Sequence, residues 1–393
     1  MEEKKTAASP DPAEQVEELL AQARQTAAGR VSRREMDAIL ESVRSQDAPE
    51  PSGVKRVRQG KTAPDEQDLI PEPEPEEPIP ANQNLLTGIP DLTDAAIGKR
   101  PVAVMVNNVD AALPQYGISA ADLIFELPVE YDLTRLMAVY GDYTQVPDVC
   151  SVRSCRYYYP ILAVGFDAVY VHWGINPTVA VDTINSMEID HFDGDSYGSG
   201  KYFGRDKDRL SAGYALEHTG VFYGTKVPEM LEASNVRTDL KEDKMGTAFK
   251  FVEMDKNAAP SGKDAKNIRV DFGANYSTFS YDADKHVYMK NYQNKPHMDS
   301  KTNEQLQFEN LIILETKITP YPTDSVLKCV DWEGGENAKG YYISEGKMVP
   351  ITWSKAGMYD PLKFFDANGN ELQLNRGKSY IAFTYAGNCK VEG

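Results

Sequence analysis

From Asp47 to Pro80 the chain is rich in Pro, Glu and Lys, and it closes on Pro71-Glu72-Pro73-Glu74-Pro75-Glu76-Glu77-Pro78. Such a stretch holds too little apolar surface to offset the entropy of ordering it, so no core can run through it. Its prolines favour an extended, solvated spacer. The chain is thereby divided into a short leading segment, a linker and a foldable remainder.

The leading segment carries two helix signatures. Asp11-Pro12 opens one helix, with Val16, Leu19, Leu20 and Ala23 on one face and Gly29 past its end. Ser32 and Glu35 then form a capping-box pattern before Met36, Ile39, Leu40 and Val43. Helices this short are marginal alone. They are expected either to form a hairpin against a protein partner or to belong to a tether. Residues 1–84 are therefore read as N-terminal helices followed by a flexible linker.

The foldable part begins near Leu85. Short apolar runs at 101–107, 121–127, 136–140 and 166–173 predict buried strands. Helices are expected at 156–164 and 178–187. This alternation predicts a mixed α/β domain over 85–245. From 246 to 393 the texture changes to short strands and turns. Tyr276–Tyr288 alternates apolar and polar residues, and Asn368-Gly369 lies between two short runs as a hairpin signal. A smaller β-rich C-terminal domain is expected there.

The formal net charge of -18 excludes a general nucleic-acid binder, because neutralising phosphates requires clustered Lys and Arg. Cys150, Cys155, Cys329 and Cys389 are too few for a disulfide scaffold, and their spacing matches no common zinc pattern. Cys329 and Cys389 could pair in an oxidising compartment. No run approaches the ~20 apolar residues of a membrane-spanning helix. Met1 is followed directly by Glu2, Glu3, Lys4 and Lys5, which is no signal peptide. The expectation is a cytosolic protein or a chain written without its export signal.

Polar residues gather where the apolar runs end, which is where open α/β sheets bind ligands. Asn107 and Asn108 close the first strand, and Thr134-Arg135 precedes Leu136. The segment Cys150-Ser151-Val152-Arg153-Ser154-Cys155-Arg156 leads into Tyr157, Tyr158 and Tyr159. Its two guanidiniums and two hydroxyls before a helix suit a phosphate, carboxylate or sulfate. The plainer reading pairs Arg153 and Arg156 with acidic neighbours such as Asp148 and Asp167. His172 ends an apolar strand, where a satisfied core histidine is the commoner outcome. His218 and Arg205 join it as candidates. The ligand-binding set is Asn108, Arg135, Ser151, Arg153, Ser154, Arg156, His172 and Arg205; the acid–base or nucleophile candidates are His172, His218 and Ser154, with Ser151 beside them.

Asp190-His191-Phe192-Asp193-Gly194-Asp195 lacks the spacing and bidentate Glu of a calcium loop, so no metal is expected. Nucleotide-binding glycine motifs, H-E-x-x-H and G-x-S-x-G are absent, and no cofactor is expected. His297 reads as a turn feature packed between strands.

Leu85-Leu86-Thr87-Gly88, Arg100 to Asn108, Pro114-Gln115-Tyr116-Gly117 and Ala120-Ala121-Asp122 form an ordered set of motifs. In that order the chain resembles the YerB-like lipoproteins, which consist of domain of unknown function 3048 followed by its own C-terminal domain. The resemblance continues through Glu126, Glu130, Thr134-Arg135, Val152 to Arg156 and His172-Trp173-Gly174, then Lys295 to Asp299 and Thr352-Trp353. Tyr131 and Asp132 stand where the family has glycines, and Glu217-His218-Thr219 keeps the histidine of a Pro-His-Asn segment without its neighbours. Cys150 and Cys155 replace small non-cysteine residues.

The resemblance implies an exported protein held to the outer face of a bacterial membrane by a lipidated cysteine, with signal and anchor absent from this chain. The linker would then be the tether. The family name supplies no activity. Three functions follow as expectations: a binding module for an anionic small molecule or envelope polymer; a hydrolase or transferase acting on a phosphate-bearing or glycan substrate; and a non-catalytic scaffold. Whether the protein is an enzyme stays open on sequence.

Overall fold

The computed structural model describes residues 79–197, 200–245 and 248–392. The two helices expected from the N-terminal sequence and nearly all of the expected linker lie outside the described residues.

The folded part is built mainly of strands, with few and short helices. Val102–Asn108, Leu123–Pro128 and Thr134–Tyr140 are consecutive strands of one 11-stranded sheet. Thr134–Tyr140 lies between the other two and is antiparallel to both. Val169–His172 and then His191–Asp193 extend the sheet on one side in parallel. On the other side Leu123–Pro128 pairs in parallel with Ser379–Thr384, which continues into Asn310–Glu315, Gly334–Ser344 and Lys347–Ser354. The α/β and β-rich parts read from the sequence thus share one sheet.

Each central strand is buried on both faces, which is why it reads as an unbroken apolar run. Val104, Val106, Ile124, Leu136, Val171, Leu311 and Tyr380 face one core. Ala103, Met105, Phe125, Met137, Tyr170, Ile312 and Phe383 face the other. Ile268, Val270, Phe279 and Tyr288 of a second, six-stranded sheet cover the first face. The helices Tyr158–Val164 and Ala180–Ser186 cover the second through Tyr158, Tyr159, Leu162 and Ile184. Both helices are shorter than their predicted spans.

One charged pair is sealed between the halves. Glu126 lies within Leu123–Pro128, Lys290 lies within Val287–Tyr292, and both side chains are fully buried. Lys290 Nζ is 3.3 Å from Glu126 Oε2. Asn108 Nδ2 (3.0 Å) and the Thr134 hydroxyl (2.8 Å) donate to Oε1. The Ser277 (3.1 Å) and Tyr380 (2.7 Å) hydroxyls donate to Oε2. Lys290 itself donates to Ser277 Oγ and to His297 Nδ1. A buried ion pair is tolerated only when its remaining polar valences are filled in this way.

Lys290→Met would leave the Glu126 carboxylate buried without its cation, a loss of roughly 3–5 kcal/mol. Because the pair spans both halves, the variant is expected to unfold at lower urea in one transition seen alike by far- and near-UV circular dichroism. A loss below about 1 kcal/mol, or separate transitions for the two halves, would show that the pair does not hold them together.

Candidate functional site

The segment 150–156 runs extended between two strands. Asn107 N–H donates to Ser151 O (2.9 Å), Val152 N–H to Gly220 O (2.9 Å) and Arg153 N–H to Met105 O (3.0 Å). The Cys150–Ser151 peptide is cis. Ser151 is fully buried and its hydroxyl has no hydrogen-bond partner among the described residues. Burial pushes the Cys150 and Cys155 thiols up to about 12, so both are protonated at neutral pH. All four cysteines are free, Cys329 and Cys389 included.

The arginines divide into an inner and an outer pair. Arg135 is buried and donates to Ser154 O (2.7 Å) and Glu130 Oε2 (3.4 Å). Arg156 closes on the same Glu130 carboxylate and on Cys155 O. Burial raises the affinity of Glu130 for a proton, but the two guanidiniums outweigh it and its carboxyl is held below the usual range. Burial, then the charge of Arg156, draws Arg135 down to about 10. Glu130 enters a turn in which Tyr131 and Asp132 take φ of 57° and 59°. This left-handed backbone is cheapest for glycine, and Asp adopts it more readily than Tyr does.

The outer pair is less engaged. Arg153 donates to Glu217 Oε2 at 2.5 Å, and the Glu217 side chain is half exposed. Arg205 lies 4.0 Å above the Trp173 ring and donates to Leu216 O (2.8 Å); it has no ion pair among the described residues. Trp173 is adjacent to Arg153, since its N–H donates to Arg153 O (3.1 Å), and its indole N–H donates to Asp195. Gly194 is needed beside it, because a Cβ there would stand 2.6 Å from the ring. The partners of Arg153 and Arg156 are thus Glu217 and Glu130. Of the neighbours suggested by sequence, Asp148 accepts from Thr225, and Asp167 holds Arg237 and Arg100.

The histidines separate. His172 is fully buried, with Nδ1 2.9 Å from Gly174 O and Nε2 3.0 Å from His191 Nδ1. A carbonyl only accepts, so the proton is assigned to Nδ1, and Nε2 accepts from His191. Burial carries His172 down to about 4 against the opposing charge of Asp193, which keeps the ring neutral. His218 Nδ1 accepts from Asn107 Nδ2 (3.0 Å), leaving Nε2 3.8 Å from Glu217. No hydrogen bond joins Ser151 or Ser154 to either histidine. Asn108 belongs to the interior Glu126 network. The structure therefore gathers Arg153, Arg205 and His218 around Trp173 and Glu217. It places Arg135 and Arg156 on Glu130, and Asn108, Ser151 and His172 in the interior. Among the described residues no three His, Cys, Asp or Glu side chains are grouped to hold a metal.

Two family models cover most of the folded chain. The protein of unknown function (DUF3048) N-terminal domain matches residues 86–260, and its C-terminal domain matches 268–381. The chain belongs to the DUF3048 family. It is 28% identical over 289 residues to the candidate lipoprotein YerB of Bacillus subtilis (strain 168), covering 72% of this chain and 80% of that protein. The crystal structure of the Bacillus subtilis YerB protein superposes with a TM-score of 0.67 at 23% identity, over 79% of this chain and 99% of that one. The fold is thereby shared, and the relative is by its name a candidate lipoprotein.

In this DUF3048 chain Glu126, Gln115, Glu217 and Trp173 entered the sequence reading only through the family resemblance, with no role assigned, and Lys290 did not enter it. Glu126 was detectable as a carboxylate inside an apolar strand, and Lys290 as a charge on the inward face of an alternating one. His297 is more than a turn feature. It is buried, accepts from Lys290, and is 2.9 Å from Gln115 Oε1 through Nε2.

The His172 shift has a pH consequence. A histidine whose folded pKa lies below its unfolded value stabilises fully above about 6.5. That stability is lost as pH falls towards the folded value of about 4. His172→Asn keeps a donor for Gly174 O and removes the titration. Between pH 7.5 and 4.5 the wild type is expected to lose more stability than the variant, by on the order of 2 kcal/mol. Urea midpoints that fall in parallel would refute this.

Proposed function

We propose that this chain is an extracytoplasmic binding protein, tethered to a bacterial membrane, whose Arg153–Trp173–Arg205–His218 face holds an anionic ligand. The observation that carries the reading is Arg205. Its guanidinium is oriented by stacking on Trp173 and spends one donor on a backbone carbonyl, with no carboxylate partner among the described residues. Burial loosens its hold on its proton; the Asp195 carboxylate opposes that, and the positive charge of Arg153 adds to it. Charge crowding of this kind is relieved when an anion docks between the cations. The half-exposed Glu217 carboxylate on Arg153 is the natural group for an incoming phosphate or carboxylate to displace. The location draws on the lipoprotein relative and on the Pro/Glu linker, which suits a spacer. Among the described residues no helix is long and apolar enough to cross a membrane.

A binding module is favoured over a hydrolase because neither serine meets an imidazole, while the accessible groups are donors suited to holding an anion. Titration of the full chain with inorganic phosphate and pyrophosphate, followed by Trp fluorescence and calorimetry, tests this. Arg205→Ala is expected to weaken binding at least about tenfold, the scale of one charge-assisted contact. Lys347→Ala, at a surface pair with Asp264, should leave binding unchanged. Equal affinity of the Arg205→Ala variant and wild type, or turnover of a phosphate ester lost with His218→Ala, would replace the reading.

A further inference from the structure

A cavity of about 490 Å³ lies between the turn at Asp110–Pro114 and the hairpin at Tyr292–Asn303. That volume is within the range of sites that enclose small organic molecules. It lies where the N-terminal and C-terminal halves meet, and its floor belongs to the network that joins them. Tyr292 and His297 line it and are almost completely buried. Both nitrogens of His297 are occupied, Nδ1 by Lys290 and Nε2 by Gln115, so the ring can offer the cavity only its carbon edge. Leu113, Pro114 and Met298 add apolar wall.

The rim is charged. Asp110 and Lys295 are exposed and line the same cavity, and neither forms an ion pair or a side-chain hydrogen bond, with each other or with another described residue. An apolar hollow bordered by one unpaired carboxylate and one unpaired ammonium matches a molecule with the opposite charges around an apolar body. A plain anion would be repelled by Asp110. A plain cation would meet Lys295. The volume suits one or two residues.

We propose that this cavity is a ligand site, separate from the arginine face, for a free amino acid or dipeptide with an apolar side chain. The ligand ammonium meets Asp110, its carboxylate meets Lys295, and its side chain packs on Leu113, Pro114 and Met298 over Tyr292.

Calorimetry on the full chain with L-phenylalanine, L-leucyl-L-phenylalanine, 2-phenylethylamine and 3-phenylpropionate tests the proposal. At least one zwitterion is expected to bind tenfold or more tightly than either singly charged analogue. Asp110→Asn should erase its advantage over 3-phenylpropionate, and Lys295→Gln its advantage over 2-phenylethylamine. Both side chains are exposed and unpaired, so unchanged circular dichroism is expected for both variants. Arg205→Ala should leave zwitterion binding intact, which separates this site from the anion face. No binding of either zwitterion to wild type would overturn the proposal. So would wild-type affinity in both rim variants, or loss of binding on Arg205→Ala.

Discussion

The ion pair between Glu126 and Lys290 sets the terms for the rest of the molecule. Two opposite charges with no exposed surface are costly unless every oxygen and proton finds a partner. Those partners come from both halves: Asn108 and Thr134 from the first, Ser277, Tyr380 and His297 from the second. Neither half could fill the valences alone, so the pair is consistent only with the continuous sheet in which Leu123–Pro128 lies against Ser379–Thr384. The two regions of this chain matched by the family models thus share one interior.

The same network carries order outward. Lys290 fixes the tautomer of His297, because an ammonium can only donate to Nδ1. His297 Nε2–H then donates to Gln115 Oε1, and Gln115 donates to Asn107 O at 2.7 Å. The Asn107 side chain orients His218, which lies beside Glu217 and Arg153. Each donor leaves its neighbour with one remaining role, so side chains near the surface are held by partners deep in the core. The arginine face and the cavity above His297 lie at two outlets of this chain.

Composition and local pattern made much of the fold legible. Apolar runs located the strands at 102–108, 123–128, 134–140 and 169–172 to within a few residues, because burial on both faces leaves a continuous signature. Helix 158–164 was legible for the same kind of reason, although Arg156 is drawn off to Glu130 and the helix begins two residues late. The partners of the arginines were not legible. Glu217 lies 64 positions from Arg153, and Glu130 is nearer in sequence to Arg135 than to Arg156. Spacing favoured Asp148 and Asp167, but the backbone sends those side chains to Thr225, Arg100 and Arg237.

By itself the sequence determined that a Pro/Glu-rich stretch precedes a part with mixed α/β and then β-rich patterning, that the chain is acidic, and that the 150–156 segment concentrates guanidiniums and hydroxyls. Those are properties of composition and short-range pattern, which survive without knowledge of distant contacts. Only the tertiary structure decided that two of the arginines share the Glu130 carboxylate, that Arg205 stacks on Trp173, and that His172 is a neutral core residue. Only it brought Tyr380 to Glu126 across 254 positions. Whether a charged group is free or satisfied depends on which carboxylate or carbonyl the completed fold places within about 3 Å of it, and no local stretch of sequence contains that information.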